Sequence, residues 1–349
     1  MKKLLLSLMA LTMVATVLSC KKDPKPNEGN VPAVPVYKEG VYNPVMKVAS
    51  VTKNGDPDQE WSWQGDNLDR ITWIGGEVKS YTYADGYITK VESDLSLGEE
   101  LRYTYADGRM TKCDVYYSGA LALQIDLQHN EVGKISGGQI TIDDNFLMTL
   151  AGQLLGQGSF FEKLVGTPAA ETMVQLAQIA KAHGDTKLSI SDKVFSTSFV
   201  WNGENVDRQV LEGSLVLNVT ADDLDLLQQF IDIPEQYLSL IQMVMMTGGG
   251  SLPLQVSIAD TISATYDNMY NPMFCNWGEL LSPQTLSRAN MLTMSNNAAI
   301  ALSISVMGQS QELLRRPFNT TEEYHYEYND QKYPTKVTGT DEIIYTYKN

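Results

Sequence analysis

Histidine and cysteine are the scarcest of the side chains able to do acid–base or metal chemistry in this 349-residue chain, three of each, and the three histidines stand apart in the sequence. His129 falls in a loop pattern, His183 at the end of a helical pattern and His325 at an alternating position of a strand pattern; no His-Glu-x-x-His run is present to hold zinc. Gly152, Gly156 and Gly158 lack the Lys-Ser/Thr of a phosphate loop and follow no strand pattern, so they read as glycines that end a helix. No Gly-x-Ser-x-Gly nucleophile turn occurs. The acidic groups Asp56/Asp58 and Asp222/Asp223/Asp225 do not have calcium-loop spacing and suit turns and helix caps. Carboxylate pairs that hydrolyse glycosides meet only in three dimensions, and nothing in the sequence selects one. Cys113 and Cys275 lie far apart with no Cys-x-x-Cys and no Cys/His spacing, so two buried free thiols are expected ahead of one disulfide. No catalytic residue, metal ligand or cofactor is assigned, and the chain is read as non-enzymatic.

The one cysteine with a clear chemical context is Cys20. Lys2 and Lys3 precede an apolar run from Leu4 to Leu18, and Ser19 offers a small residue for processing. The run, about 15 residues, is short of the ~20 needed to span a bilayer. Val17-Leu18-Ser19-Cys20 resembles the lipobox of bacterial lipoproteins, which implies cleavage after residue 19 and acyl chains on Cys20. Several chains at about 0.8 kcal/mol per buried methylene would make such an anchor permanent. Residues 20–36, with Pro24, Pro26, Pro32 and Pro35, read as a tether. Lys21-Lys22-Asp23 lacks an aspartate directly after Cys20, the resemblance to an inner-membrane retention signal, so the outer membrane is expected. With 26 basic against 42 acidic residues and a net charge of −16, neither nucleic acid nor an anionic membrane surface is expected as the main partner.

Residues 37–349 are read as one β domain, organised by a repeat. Trp61-Ser-Trp63, Tyr81-Thr-Tyr83, Tyr103-Thr-Tyr105 and Ile125-Asp-Leu127 each precede a turn and a second alternating run, and their second apolar residues are spaced by 20, 22 and 22 residues. A fixed period means stacked supersecondary units. The pattern returns at Phe199-Val-Trp201 and Tyr326-Glu-Tyr328, and Tyr266 to Pro272 is a degenerate copy. Each unit reads as a hairpin with a four-residue loop in which Tyr83 faces Ile88 and Tyr81 faces Lys90. That register puts two aromatic residues, one apolar residue and one base on the buried face, with Val91 on the other. Arg70, Lys90, Lys112, Lys134 and Arg208 are then bases lying along rings with their charges at the rim, rather than an anion-binding stripe. Tyr333-Pro334 delays Lys336 by one position, which places the last unit near a sheet edge.

Tyr105-Ala-Asp107-Gly108-Arg109-Met110-Thr111 resembles the YD repeat of large bacterial surface shells, in fewer and more degenerate copies. Taken with the lipobox and the Trp/Tyr hairpins, the chain is similar to lipoproteins of Bacteroides-type envelopes that carry a domain of unknown function with a porin-like fold. That resemblance implies an antiparallel hairpin meander curled into a barrel-like or half-barrel sheet. It hands over no activity and no catalytic residue.

Two insertions interrupt the period. Near 143–186, Phe146, Leu147, Leu150, Leu154 and Leu155 form one helical stripe, and a second helix opens at Thr167-Pro168. Near 220–248, Thr220 to Asp223 has capping-box spacing, Pro234 restarts the helix, and Tyr237, Leu238, Ile241, Met243, Val244, Met245 and Met246 make it apolar on more than one face. This helix is expected to be largely buried on or inside the sheet, where it would either fill a wide core or shape an adaptable apolar pocket as plug or lid. About 14 to 16 strands are expected, more than a flat sheet sustains.

The function expected is a lipid-anchored outer-membrane protein with a binding or structural role, its partner an apolar ligand, a glycan or an envelope protein. A lipid carrier with a helical lid is one alternative, and a glycan-acting enzyme is another. A transmembrane pore is disfavoured, because hairpin strands of about six to eight residues fall short of the ~9–11 that span a membrane and their second face carries Thr, Ser and Asp.

Overall fold

The computed structural model describes residues 34–94, 98–143, 189–220, 235–247, 250–278, 281–306 and 309–348. The expected signal peptide, Cys20, most of the expected tether, nearly all of the insertion expected near 143–186 and residues 221–234 of the second lie outside them.

Each hairpin is set by its turn. Asp85-Gly86 and Asp107-Gly108 hold both central φ angles positive, at 51° and 81° and at 51° and 74°, as do Asn54-Gly55 and Ser118-Gly119. This is the two-residue type I′ turn that Asp-Gly and Asn-Gly favour, because its twist matches that of the strands it joins. The loop is therefore two residues rather than the four expected: Ala84 pairs with Tyr87 and Ala106 with Arg109.

Directly after the turn the second strand carries one extra residue. Tyr83 faces Ile88 as expected, but Thr82 faces Lys90 and Tyr81 faces Val91, leaving Thr89 bulged. The same step falls at Asp69, Thr111, Asp207 and Thr335. A shift of one residue exchanges the faces of a strand. Ile71, Val91 and Cys113 accordingly join the core, and Arg70, Lys90, Lys112 and Arg208 turn outward opposite Ser62, Thr82, Thr104 and Val200. The bulge threonines answer carbonyls across the ladder: Thr89, Thr111 and Thr335 donate to Thr82, Thr104 and Glu327 at 3.3, 3.2 and 3.2 Å. Pro334 simply takes the place of Ile88 in this scheme, so Lys336 is in register after all.

The residue facing the second aromatic keeps its carbonyl free for the next unit. Tyr83 donates to the Leu68 carbonyl at 2.9 Å, Tyr105 to Ile88 at 2.6 Å, Trp201 to Ile135 at 2.7 Å and Tyr266 to Val206 at 2.5 Å. At Tyr83, Tyr105, Trp201 and Tyr266 the second aromatic is thus a latch between neighbouring units, a bond that Leu127 cannot make.

The short strands are β1 (Val48–Lys53), β2 (Asp56–Gln64), β3 (Asn67–Trp73), β4 (Val78–Ala84), β5 (Tyr87–Ser93), β6 (Glu99–Ala106), β7 (Arg109–Tyr117), β8 (Ala120–His129) and β9 (Ile135–Ile142). Five long strands follow: β10 (Ser189–Asn202), β11 (Asn205–Thr220), β12 (Ser251–Tyr266), β13 (Met291–Val306) and β14 (Gln309–Glu323). Helix α1 (Glu235–Thr247) precedes β12, and the single-turn α2 (Pro283–Leu286) precedes β13. β15 (His325–Tyr328), β16 (Pro334–Thr338) and β17 (Glu342–Tyr347) end the chain.

All ladders are antiparallel, and except for β14 and β15 the described strands that follow one another in sequence pair in the sheet. The first and last strands pair, with Val51 facing Tyr345. The path of pairings therefore runs from β14 back to β1, on to β17 and to β15. β14 and β15 follow one another with only Tyr324 between them and share no ladder, so the sheet curls round to meet itself without being closed by hydrogen bonds. The last hairpin does lie at one end of this path. Seventeen described strands slightly exceed the number expected.

Inside the short-strand ring sits a plug that the sequence did not announce, built from residues 34–47, 267–278 and 281–290. Tyr42 donates to the Pro272 carbonyl at 2.6 Å, Tyr81 to Asn276 at 3.1 Å, Tyr103 to the Trp277 carbonyl at 2.5 Å and Lys79 to the Gly278 carbonyl at 2.7 Å. Ser282 caps α2 through a capping box with Thr285. Trp277, Tyr42 and Leu286 are among the most deeply buried side chains. Tyr266 to Pro272 is therefore not a hairpin: Tyr266 keeps the latch, and the turn is replaced by the plug.

Candidate ligand-binding interior

The long strands carry the same alternation as the hairpins, over twice the length. On β12, Leu252, Leu254, Val256, Ile262 and Ala264 face inward and are buried, whereas Pro253, Gln255, Ala259 and Thr265 face outward and are exposed. Register carries the inner face to Leu302 and Ile304 on β13. On β14 the outer face is Arg315, Pro317, Asn319, Thr321 and Glu323, all exposed. A barrel wall facing lipid presents an apolar band outward; here the apolar side points in. The six to eight residues expected of the hairpin strands do not extend to this wall, since β10–β14 run 14 to 16 residues. Length alone would let them span a membrane, and it is the direction of their faces that argues against a pore.

Helix α1 lies on the inner side of this wall. It packs on the start of β12, whose inner residues are the buried ones, and Tyr237 comes within 3.5 Å of Gln311, which faces inward opposite Ile304. Ile241 and Met245, one turn apart, are 0% and 6% exposed, whereas Met243 is 41% and Met246 81% exposed. Among the described side chains of α1 the expected burial on more than one face is not seen: Ile241 and Met245 form one buried stripe, and Met243 and Met246 are exposed. Gly250 ends it in the left-handed region at φ 91°, its amide donating to the Met245 carbonyl at 2.9 Å. Leu238 and Val244 belong to α1, but their side chains lie outside the described positions.

A polar band crosses this apolar wall. Thr197 on β10, Gln209 on β11, Asp260 on β12 and Asn296 on β13 share the inner face, set diagonally around Leu211 and Ile262 by the ladder register. Gln209 Nε2 donates to Thr197 Oγ1 at 3.4 Å. Gln209 Oε1 and Asp260 Oδ1 are buried and meet no donor. Burial raises the Asp260 pKa above the usual carboxylate value, and a hydrogen bond from Asn296 offsets part of the rise. Asp260 could have been found in the sequence as the one charged residue at the inward parity of an otherwise apolar alternation.

The residues first considered for chemistry are dispersed. His129, expected to be without a partner, meets buried Glu39 at 2.9 Å, and the same Glu39 oxygen accepts from the Met110 amide at 2.8 Å. Their separation of 90 residues hid the pair. His325 sits on β15, away from both. Cys113 and Cys275 are free and buried; burial pushes the Cys113 thiol pKa up and that of Cys275 to about 12, which keeps both protonated and unreactive. Among the described residues no group of three or more His, Cys, Asp or Glu could hold a metal ion. The bases do not form an anion stripe: Lys90 pairs with Glu92 at 2.9 Å, Lys112 with Asp114 at 3.0 Å and Lys134 with Glu204 at 2.9 Å. Only Lys134 keeps the expected place along a ring, 4.8 Å from the centre of Trp201.

No family model and no curated protein matches the chain. Among solved structures it is similar to a porin-like protein from Bacteroides uniformis, at 9% identity and a TM-score of 0.28, over 89% of this chain and all of the other. A likeness that loose adds nothing to the reading of fold or function.

Proposed function

We propose that this chain is a non-enzymatic, lipid-anchored protein of the outer membrane whose long-strand interior binds an amphiphilic ligand beneath helix α1. The observation that carries the binding role is the asymmetry of β12: an apolar inner face crossed by a polar band, with a methionine-bearing helix packed at the start of the strand, against a polar outer face. Apolar lining with a few placed polar groups is what a small-molecule site requires, and methionine lets its covering helix adapt to the bound chain. Anchoring through Cys20 supports the envelope location, and the relation to Bacteroides-type envelope lipoproteins belongs to the same reading. The short-strand ring and its plug serve as scaffold.

Organic extraction of natively purified protein, followed by mass spectrometry, tests the binding role. A lipid or other amphiphile at close to one equivalent is expected, and it should fall when Ile241 and Met245 are both replaced by Ser. An extract without any amphiphile, from protein with an intact β spectrum, would remove the carrier role. The same spectrum of the intact chain tests the anchor: a mass increment on Cys20 is expected, and its loss in Cys20→Ser.

A further inference from the structure

The orphaned atoms in the polar band define what they lack. Gln209 Oε1 and Asp260 Oδ1 are both acceptors, both buried and both without a donor among the described residues. Gln209 faces Ile262, two residues along the same face from Asp260, so the two side chains are diagonal neighbours at roughly 7 to 8 Å between backbone positions. That gap suits groups placed between them and not a direct contact. Thr197 faces Leu211, which faces Asp260 in turn, and Asn296 faces Ile262. Four polar side chains from four consecutive strands thus converge on one patch of an apolar wall. A buried acceptor without a donor costs stability, and replacing it by an apolar residue of similar shape is cheap. A wall that only had to pack would carry leucine here.

We propose that Gln209 and Asp260, with Thr197 and Asn296 beside them, receive the hydroxyl groups of a neutral polyol or sugar. A phosphate or sulfate brings acceptors to acceptors and leaves both orphaned. A hydroxyl-bearing group donates to Gln209 Oε1 and Asp260 Oδ1 and can accept from the Asn296 amide. The inference rests on the binding role proposed above and gives it a head group: the polyol sits in the band, and the apolar body of the ligand lies along Leu211, Val256 and Ile262 toward α1. The same hydroxyl chemistry could come from a free sugar or from the head of a glycolipid.

Calorimetric titration of the purified chain with octyl glucoside, octyl phosphocholine and octyl sulfate, each below its micelle threshold, and with free glucose separates these. Octyl glucoside should bind at least roughly tenfold more tightly than the other two amphiphiles, the factor expected for satisfying rather than stranding buried acceptors. Gln209→Leu and Asp260→Leu should each weaken octyl glucoside roughly tenfold while leaving the thermal midpoint nearly unchanged, because each removes a partnerless acceptor together with the bond to Thr197 or from Asn296. Asp260→Asn keeps Oδ1 as an acceptor and should retain binding, and Thr261→Ala on the outer face of the same strand should change neither quantity. Equal binding of all three amphiphiles, insensitive to both leucine variants, would overturn the head-group assignment and leave the carrier role standing. Glucose binding as tightly as octyl glucoside would keep the assignment and overturn the carrier role. Lost binding with a lowered thermal midpoint in both leucine variants would make the band structural and overturn the assignment. No binding of any probe would overturn both.

Discussion

The short-strand ring and the long-strand wall are built from the same alternation, and they differ in what meets their inner faces. In the ring, Tyr83 and Tyr105 latch their hairpins to the neighbouring ones by donating to the Leu68 and Ile88 carbonyls, and the interior is filled by the plug of residues 34–47, 267–278 and 281–290. Two buried donors of the plug, Tyr37 Oη and Trp277 Nε1, lack a hydrogen-bond partner, as does His325 Nε2 on β15, whereas Asp114 Oδ1 on β7 lies 3.0 Å from Lys112 Nζ. The plug donors sit among rings, Tyr37 lying 5.6 Å from Trp201, 6.2 Å from Phe274 and 6.4 Å from Trp277, and aromatic faces can take a weak donor. In the wall the partnerless atoms, Gln209 Oε1 and Asp260 Oδ1, are acceptors; Phe199 lies opposite Gln209, and a ring face cannot answer an acceptor. The ring is filled by packing, while the wall keeps unmet acceptors on its inner face. Natural proteins tolerate that cost where it serves binding.

Substitutions should separate the two regions, and the plug gives the largest effect. Trp277 is fully buried, so Trp277→Ala should cost about 3 to 5 kcal/mol of unfolding free energy in urea titration, without altering octyl glucoside affinity in the folded fraction. Gly40 lies at φ 69°, and a Cβ there would come within 2.4 Å of Tyr105 Oη; Gly40→Ala should cost about 2 kcal/mol, measured the same way. Tyr105→Phe removes one latch and strands the Ile88 carbonyl, a loss of about 1 to 2 kcal/mol, and Tyr83→Phe should match it, since both latches have the same form.

The smallest effect belongs to the wall and depends on pH. The folded-state pKa of Asp260 is raised above its ordinary value of 3.8, chiefly by burial. An acid whose pKa rises on folding binds more protons in the native state, so its contribution to stability falls as pH climbs from the unfolded value through the folded one. Asp260→Asn should therefore be nearly neutral below that window and stabilising at pH 7, as thermal unfolding of both proteins across pH 3.5 to 7.5 would reveal. An Asp260→Asn difference that shrinks with rising pH would mean a cation or donor answers the carboxylate, and the contrast between the two regions would fail.

Most of the hairpin architecture could be read from residues close in sequence. Asp85-Gly86 and Asp107-Gly108 force their turns locally, and the flanking aromatics mark which ends pack. Register was misread because the bulge at Thr89 or Thr111 costs no visible residue type; an extra threonine in a strand looks like any other. The plug was not legible, since Trp277, Asn276 and Gly278 acquire their roles only from Tyr81, Tyr103 and Lys79, which lie far away in the chain. The bulge in β10 was no more visible: the ladder with β11 shifts register between Ser191 and Val194, with Asp192 at φ 49°. Helix α1 was legible as a helix, but which of its methionines would be covered depended on a sheet that the sequence does not locate. The polar band lay in view at Asp260 as a break in inward parity, yet Gln209 and Asn296 join it only through pairing register.

Amide hydrogen exchange with and without octyl glucoside tests most directly whether function resides in the wall. Slowed exchange is expected in β10 to β13 and α1, over residues 189–220, 235–247, 251–266 and 291–306, with residues 48–94 and 98–142 of the ring and the plug unchanged. Protection confined to the ring and its plug would contradict the division of labour between the two regions.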